Sequence, residues 1–134
     1  MDAVLHTQGE SCGFNMKDIE IFPDGSGGVC NLEVISKPFS GEIRFFFDYP
    51  SLPDFIESLK VIEQTLSGEA KLGQLYEEPY VMFRGVGLGH ITVSGFLAEY
   101  TEHTQKLHFS FTTDQTALGP FINSLREVAN AKVT

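Results

Sequence analysis

The chain has 134 residues, 42% hydrophobic and 20% charged, with 12 phenylalanines and no tryptophan. That length suits a single domain, residues 1–134, able to bury roughly 65–70% of its unfolded surface, and the composition excludes a disordered chain. Eighteen acidic against nine basic side chains leave a formal charge of −9, which argues against direct nucleic-acid binding and against docking on an anionic membrane, because both need clustered Lys and Arg.

No run approaches the roughly 18 apolar residues of a membrane span. Met1 to His6 carries neither the basic region nor the apolar stretch of a secretion signal, so a cytoplasmic location is expected. Residues 1–15 show no sustained period and read as a loose N-terminal lead. Met16 to Phe22 alternates weakly and reads as a strand, stopped by Pro23-Asp24-Gly25-Ser26-Gly27-Gly28. In that segment proline fixes one dihedral and the glycines permit positive ones, which makes a turn. Val29 to Ser36 sets Cys30, Leu32 and Val34 against Asn31 and Glu33, the pattern of a half-buried strand. Phe39-Ser40-Gly41 turns the chain into Glu42 to Tyr49, where Ile43, Phe45 and Phe47 face one way and Arg44, Phe46 and Asp48 the other.

Pro50-Ser51-Leu52-Pro53 opens a first helix, with Ser51 as its expected N-cap and Asp54 completing a near capping box. Phe55, Ile56, Leu59, Ile62 and Leu66 form its apolar stripe, and Ser67-Gly68 ends it. Glu69 to Leu75 alternates weakly, and Tyr80 to Arg84 reads as a further strand. Gly85-Val86-Gly87-Leu88-Gly89 is a turn or bulge. It is not a phosphate loop, because the third glycine falls one position early and a strand follows instead of a helix. Ile91, Val93 and Leu97 then share one strand face, while His90, Thr92, Ser94, Phe96 and Ala98 share the other. Glu99 to Gln105 is a polar connection, Lys106 to Thr112 the last strand, and Asp114 or Thr116 the cap of a final helix buried through Leu118, Phe121, Ile122, Leu125 and Val128.

A faint repeat joins the halves. Ser51-Leu52-Pro53-Asp54-Phe55-Ile56-Glu57-Ser58-Leu59 aligns with Ala117-Leu118-Gly119-Pro120-Phe121-Ile122-Asn123-Ser124-Leu125, each after an aromatic strand. Whether it reflects duplication of a strand–helix unit stays open. The predicted fold is α+β, an antiparallel sheet of six to seven strands with two helices packed on one face.

Catalytic and metal chemistry find little support. His6, His90, His103 and His108 form no pair at ligand spacing, although His90 and His108 fall on adjacent strands. Cys12 and Cys30 lack a second ligand nearby. A Cys12–Cys30 bridge is disfavoured in a reducing compartment. Glu77-Glu78 and Asp18/Glu20 are carboxylate pairs without a pocket to perturb them. No serine sits in a nucleophile elbow. No enzyme activity, cofactor or metal is expected. The outward strand faces offer Phe46, Asp48 and Phe96, and the polar connection offers Glu99, as partner contacts, since aromatics anchor interfaces and acids attract basic partners. The same aromatics would also serve contact with the lead or a homodimer.

Gly89-His90-Ile91-Thr92-Val93-Ser94-Gly95-Phe96-Leu97, followed by Leu107 to Leu118 (LHFSFTTDQTAL), resembles the C-terminal half of WapI-type bacterial immunity proteins. There a G-H-I-x-V-x-G strand precedes L-x-F-x-F-x-x-D-Q-T-x-L and a helix. The hairpin-rich first half, with Phe39-Ser40-Gly41-Glu42 before its helix, is also similar, so the resemblance spans most of residues 29–128 and leaves 1–28 unmatched. It implies a small cytoplasmic protein that binds and neutralises the toxin domain of a polymorphic toxin, often a nuclease, by occluding a basic active site. The alternative is a non-catalytic ligand-binding or scaffold module of unknown partner, which an enclosed pocket with convergent polar groups would favour.

Overall fold

The computed structural model describes residues 1–73, 79–100 and 104–131. Eight strands and two helices run in chain order: β1 (Ala3–Leu5), β2 (Cys12–Ile21), β3 (Gly27–Ser36), β4 (Phe39–Asp48), α1 (Ser51–Thr65), β5 (Ser67–Gly73), β6 (Tyr80–Val86), β7 (His90–Tyr100), β8 (Thr104–Asp114), and α2 (Leu118–Ala131) after a 3-10 turn at Gln115–Ala117. The fold is α+β, but the expected single sheet of six to seven strands is replaced by two antiparallel sheets of four, ordered β1-β2-β3-β4 and β5-β6-β7-β8. Each strand pairs with its neighbour in sequence until α1 intervenes between β4 and β5. There pairing stops and a second sheet begins. Strand periodicity reports which face is buried and is silent on which strands pair across a helix.

The two halves therefore share one plan, a four-stranded meander followed by a helix. Their inner faces supply Phe14, Met16, Leu32, Val34 and Phe45 from one sheet and Leu72, Val81, Phe83, Ile91 and Val93 from the other. The helices add Phe55, Leu59 and Ile62 of α1 and Leu118, Phe121 and Leu125 of α2 to the same cluster. At its centre Phe14 of β2 meets Phe83 of β6 edge-on, centroids 5.3 Å apart. Phe121 lies 5.9 Å from Phe14 and Phe55 lies 5.5 Å from Phe83, both again edge-on. Edge-to-face packing aligns positive ring edges with negative faces and adds about 0.5–1.5 kcal/mol per pair beyond burial.

The lead is not loose. Ala3 and Leu5 are buried, Phe14 fully so, and β1 pairs with β2 in the register Ala3↔Met16, Leu5↔Phe14. A three-residue strand is too short to display a period, and Gly9 to Gly13 reads as loop, so the sequence hid both. The weak alternation after Met16 has a cause as well. The register with β3 shifts between Lys17 and Glu20, and Asp18 adopts φ 51. This bulge places Met16 and Ile19, three residues apart, both in the core.

Ser51 does not cap α1. The residue before the helix is Pro50, no side-chain cap hydrogen bond forms, and the Ser51 hydroxyl instead accepts the Gly73 amide at 3.1 Å. At the other end Leu66 takes a left-handed conformation and donates its amide to the Ile62 carbonyl at 2.8 Å. The glycine-rich turn lies between β6 and β7 as a tight hairpin, with Leu88 at its tip at φ 56 and 95% exposed.

Candidate partner-binding surface

The four side chains expected as partner contacts fall in two places. Phe46, 46% exposed, and half-buried Asp48 lie toward the C-terminal end of β4. Glu99 is exposed near the end of β7, where with Glu42, Gln105 and Lys106 it lines an open polar cleft of about 300 Å³ between the sheets. Glu42 and Asp48 are six residues apart on β4, about 20 Å, so the two places are separate. Phe96 is only 2% exposed. His108 covers it at a ring separation of 4.4 Å, and the Lys106 ammonium lies 5.6 Å from its centroid. It therefore supports the sheet face from beneath and does not project from it.

The end of β4 is built by the preceding hairpin. Gly27 pairs with Asp48 at φ 147, and a Cβ there would collide with the Phe47 carbonyl, so only glycine lets the β2–β3 turn lie this close. The turn is tied by Asp24, whose carboxylate accepts the Ser26 amide at 2.9 Å and the Ser26 hydroxyl at 2.7 Å. Those two bonds, the backbone one first, hold the Asp24 carboxyl below its ordinary range. The Tyr49 amide then donates to the Ser26 carbonyl at 2.9 Å. Between this turn and the first residues of α1 lies a pocket of about 150 Å³ with Ile21, Phe47, Leu52, Pro53 and Ala129 as its apolar lining and Asp48 and Tyr49 beside them. Tyr49, 60% exposed, escaped the sequence reading. Its one available signal was its place between the aromatic strand and two prolines.

The outer sheet faces are ordered polar surfaces. On the first sheet the Glu33 carboxylate accepts the Asn15 side-chain amide at 2.8 Å and pairs with Lys17 at 3.3 Å. The Asn15 hydrogen bond and then the Lys17 contact lower the Glu33 carboxyl from its ordinary value. On the second sheet Arg84 pairs with Glu69 at 2.7 Å, and the Lys71 ammonium sits 4.8 Å above Tyr80. Lys71, Arg84 and Lys106 thus share a face that holds three of the nine cations of the chain.

His90 and His108 do not meet. His90 stands opposite Asp114 and His108 opposite Phe96, six register positions apart. His103 and the Glu77-Glu78 pair lie outside the described residues. Among the described residues no group of three His, Cys, Asp or Glu side chains converges. Asp18 lies in the β2 bulge and Glu20 resumes the pairing after it. Cys12 and Cys30 are both free thiols. Burial, only partly offset by the Arg44 charge, raises the Cys30 thiol to about 12, so it is an inert core residue at neutral pH. No described helix is long and apolar enough to cross a membrane.

Neither curated proteins nor solved structures give a match to this chain. A family model does, over residues 8–131, and its description is immunity protein WapI-like family. The match reaches well before residue 29 and takes in all of β2, whose Phe14 the core requires. It thus covers β2 to β8 and both helices, and the chain belongs to the immunity protein WapI-like family.

Proposed function

We propose that the protein binds and neutralises a cognate polymorphic-toxin domain inside the cell that makes it, by covering a basic active site. Family membership carries this reading, and the charge of −9 supports it. A nuclease domain must be basic around its substrate groove, and an acidic inhibitor is steered to such a groove and holds it against the nucleic acid. The contacts are Phe46 and Asp48 at one end of β4 and Glu99 at the cleft, with Phe96 holding the sheet face flat beneath His108. Inhibition is by occlusion, so the protein acts stoichiometrically and without turnover.

Co-expression with the toxin domain encoded beside this gene tests the reading. Survival of the cells and co-purification of a one-to-one complex are expected. Death of the cells with no complex would remove that pairing and leave a binding module with another ligand.

A further inference from the structure

A strand at the edge of a sheet has one side of its backbone without a neighbouring strand, and two such edges line a single cleft in this fold. β4 ends the first sheet and β8 ends the second. The Tyr49 amide donates to the Ser26 carbonyl at 2.9 Å, and the register runs unbroken from the adjacent Gly27↔Asp48 to Ser36↔Phe39. Bonded and outward-facing residues alternate along an antiparallel strand, so Gly41 and Ile43 bond to β3 while the amides and carbonyls of Ser40 and Glu42 point away from it. In β8 the bond from the Gln115 amide to the Gly89 carbonyl fixes the same alternation. There Lys106 and Ser110 turn their backbone groups outward, and the Ser110 carbonyl accepts the Ser36 hydroxyl at 3.4 Å.

The two edges cross at Gly41. A Cβ there would lie 3.1 Å from Leu107 and 3.6 Å from Leu97, so β4 rests directly on the second sheet. Beside this crossing lies the open cleft of about 300 Å³, with Ile43, Leu97 and Leu107 as its apolar floor. Ile43 and Leu107 pack against the core but are only half-buried, so the core is unsealed along this seam. Glu42 and Glu99 are exposed at its rim. Lys106, the cation among the described residues that line it, leans over the Phe96 ring.

An extended chain segment suits all of these features together. Its backbone takes the outward amides and carbonyls of Ser40 and Glu42, as in strand addition to a sheet edge. One of its side chains covers the apolar floor. A cation two residues on falls on the same face of the segment and meets the carboxylates. A compact apolar guest would cover the floor but strip water from backbone groups and carboxylates without replacing it.

We propose that the seam between β4 and β8 receives an extended segment of the toxin domain as an added strand, carrying an apolar side chain and a lysine or arginine two residues apart. The inference rests on the neutralisation reading for the identity of the partner, while the chemistry of the guest comes from the seam.

Two measurements separate these. In the first, the isotopically labelled protein is titrated by NMR with the capped pentapeptide Thr-Val-Thr-Arg-Thr, its arginine-to-glutamate counterpart, and the arginine peptide N-methylated along its backbone. The arginine peptide is expected to shift the amides of Ser40, Glu42 and Lys106 saturably, and the other two to bind at least tenfold more weakly. Equal binding of the glutamate peptide, indifference to N-methylation, or no shift at these amides would overturn the added strand. So would protection of the same amides by dimerisation of the protein alone, which would give the edge to a second copy. In the second, Ser40→Pro and Glu99→Lys are titrated against the toxin domain encoded beside the gene. Proline is tolerated where an amide faces away from the ladder, so Ser40→Pro should keep the wild-type circular dichroism spectrum, and each variant should bind at least tenfold more weakly. A tight complex that neither variant weakens would overturn the added strand and keep the immunity role. Arginine-peptide binding without any complex would overturn the pairing and keep the seam's choice of guest.

Discussion

Phe55 and Phe121 face each other in the middle of the core, ring centroids 6.4 Å apart and planes at 86°. They occupy matching positions in the two strand–helix units, and each leans edge-on against a phenylalanine of the opposite meander, Phe83 and Phe14 respectively. The core is thus a knot of four rings, two from each half, and neither half can bury its helix alone. This interdependence predicts a single cooperative unfolding transition.

Truncating one ring should be severe. Phe121→Ala is expected to cost about 3–5 kcal/mol, as buried phenylalanine truncations do when neighbours cannot collapse. Phe121 is fully buried and also stacks on Phe83 at 5.6 Å. Urea unfolding followed by circular dichroism would measure it, and a loss below 1 kcal/mol would mean the cluster can repack.

The cap at Asp114 should matter to the second helix. Asp114→Ala removes the acceptor for the Thr116 amide and should cost about 1 kcal/mol. An unchanged urea midpoint would show that solvent serves that amide equally well.

Leu88 sits at φ 56 with almost its whole side chain in water. A β-carbon in that conformation is strained, and no burial offsets it, so Leu88→Gly should stabilise the protein by about 0.5–1 kcal/mol. A thermal midpoint that falls would assign Leu88 a contact that holds the hairpin.

Glu33 supplies a pH dependence of known sign. Its carboxyl is lowered from 4.5 in the folded state by Asn15 and Lys17. Its contribution is therefore fully present above pH 4.5 and is lost as pH falls through the lower, folded value. Wild type should exceed Glu33→Gln in stability at pH 7, and the gap should narrow below pH 4.5. A gap that widens in acid would contradict the assignment.

The thiols should differ sharply in reactivity. Cys12 is half-exposed and Cys30 is buried, so a thiol reagent at pH 8 should label one cysteine in the native protein and the second only on unfolding. Two equivalents labelled at the native rate would indicate that β3 opens.

Much of this architecture was legible because strand and helix faces alternate with periods a sequence displays. Phe45 and Phe47 of β4, Ile91 and Val93 of β7, and the stripe from Leu118 to Val128 are all buried as their spacing required. The glycines before His90 made the hairpin they promised. Three-residue β1 carried no period, and the bulge at Asp18 broke the period of β2. For these reasons Phe14, a member of the central ring cluster, lies in a segment that reads as loop. Phe96 shows the complementary error. Alternation put it on the outer face correctly, yet His108 and Lys106 cover it there, and alternation counts faces without counting neighbours.

By itself the sequence determined the fold class, the two similar helices, the acidic charge and the resemblance to an immunity family, all of which are local or compositional properties. Only the tertiary structure decided that the strands divide into two sheets, that Asp48 borders an apolar pocket while Asp114 caps a helix, and that Phe46 and Glu99 lie in separate regions. These are relations between segments distant along the chain. They are set by which strands pair and which faces pack, and a pattern read along one strand does not encode them.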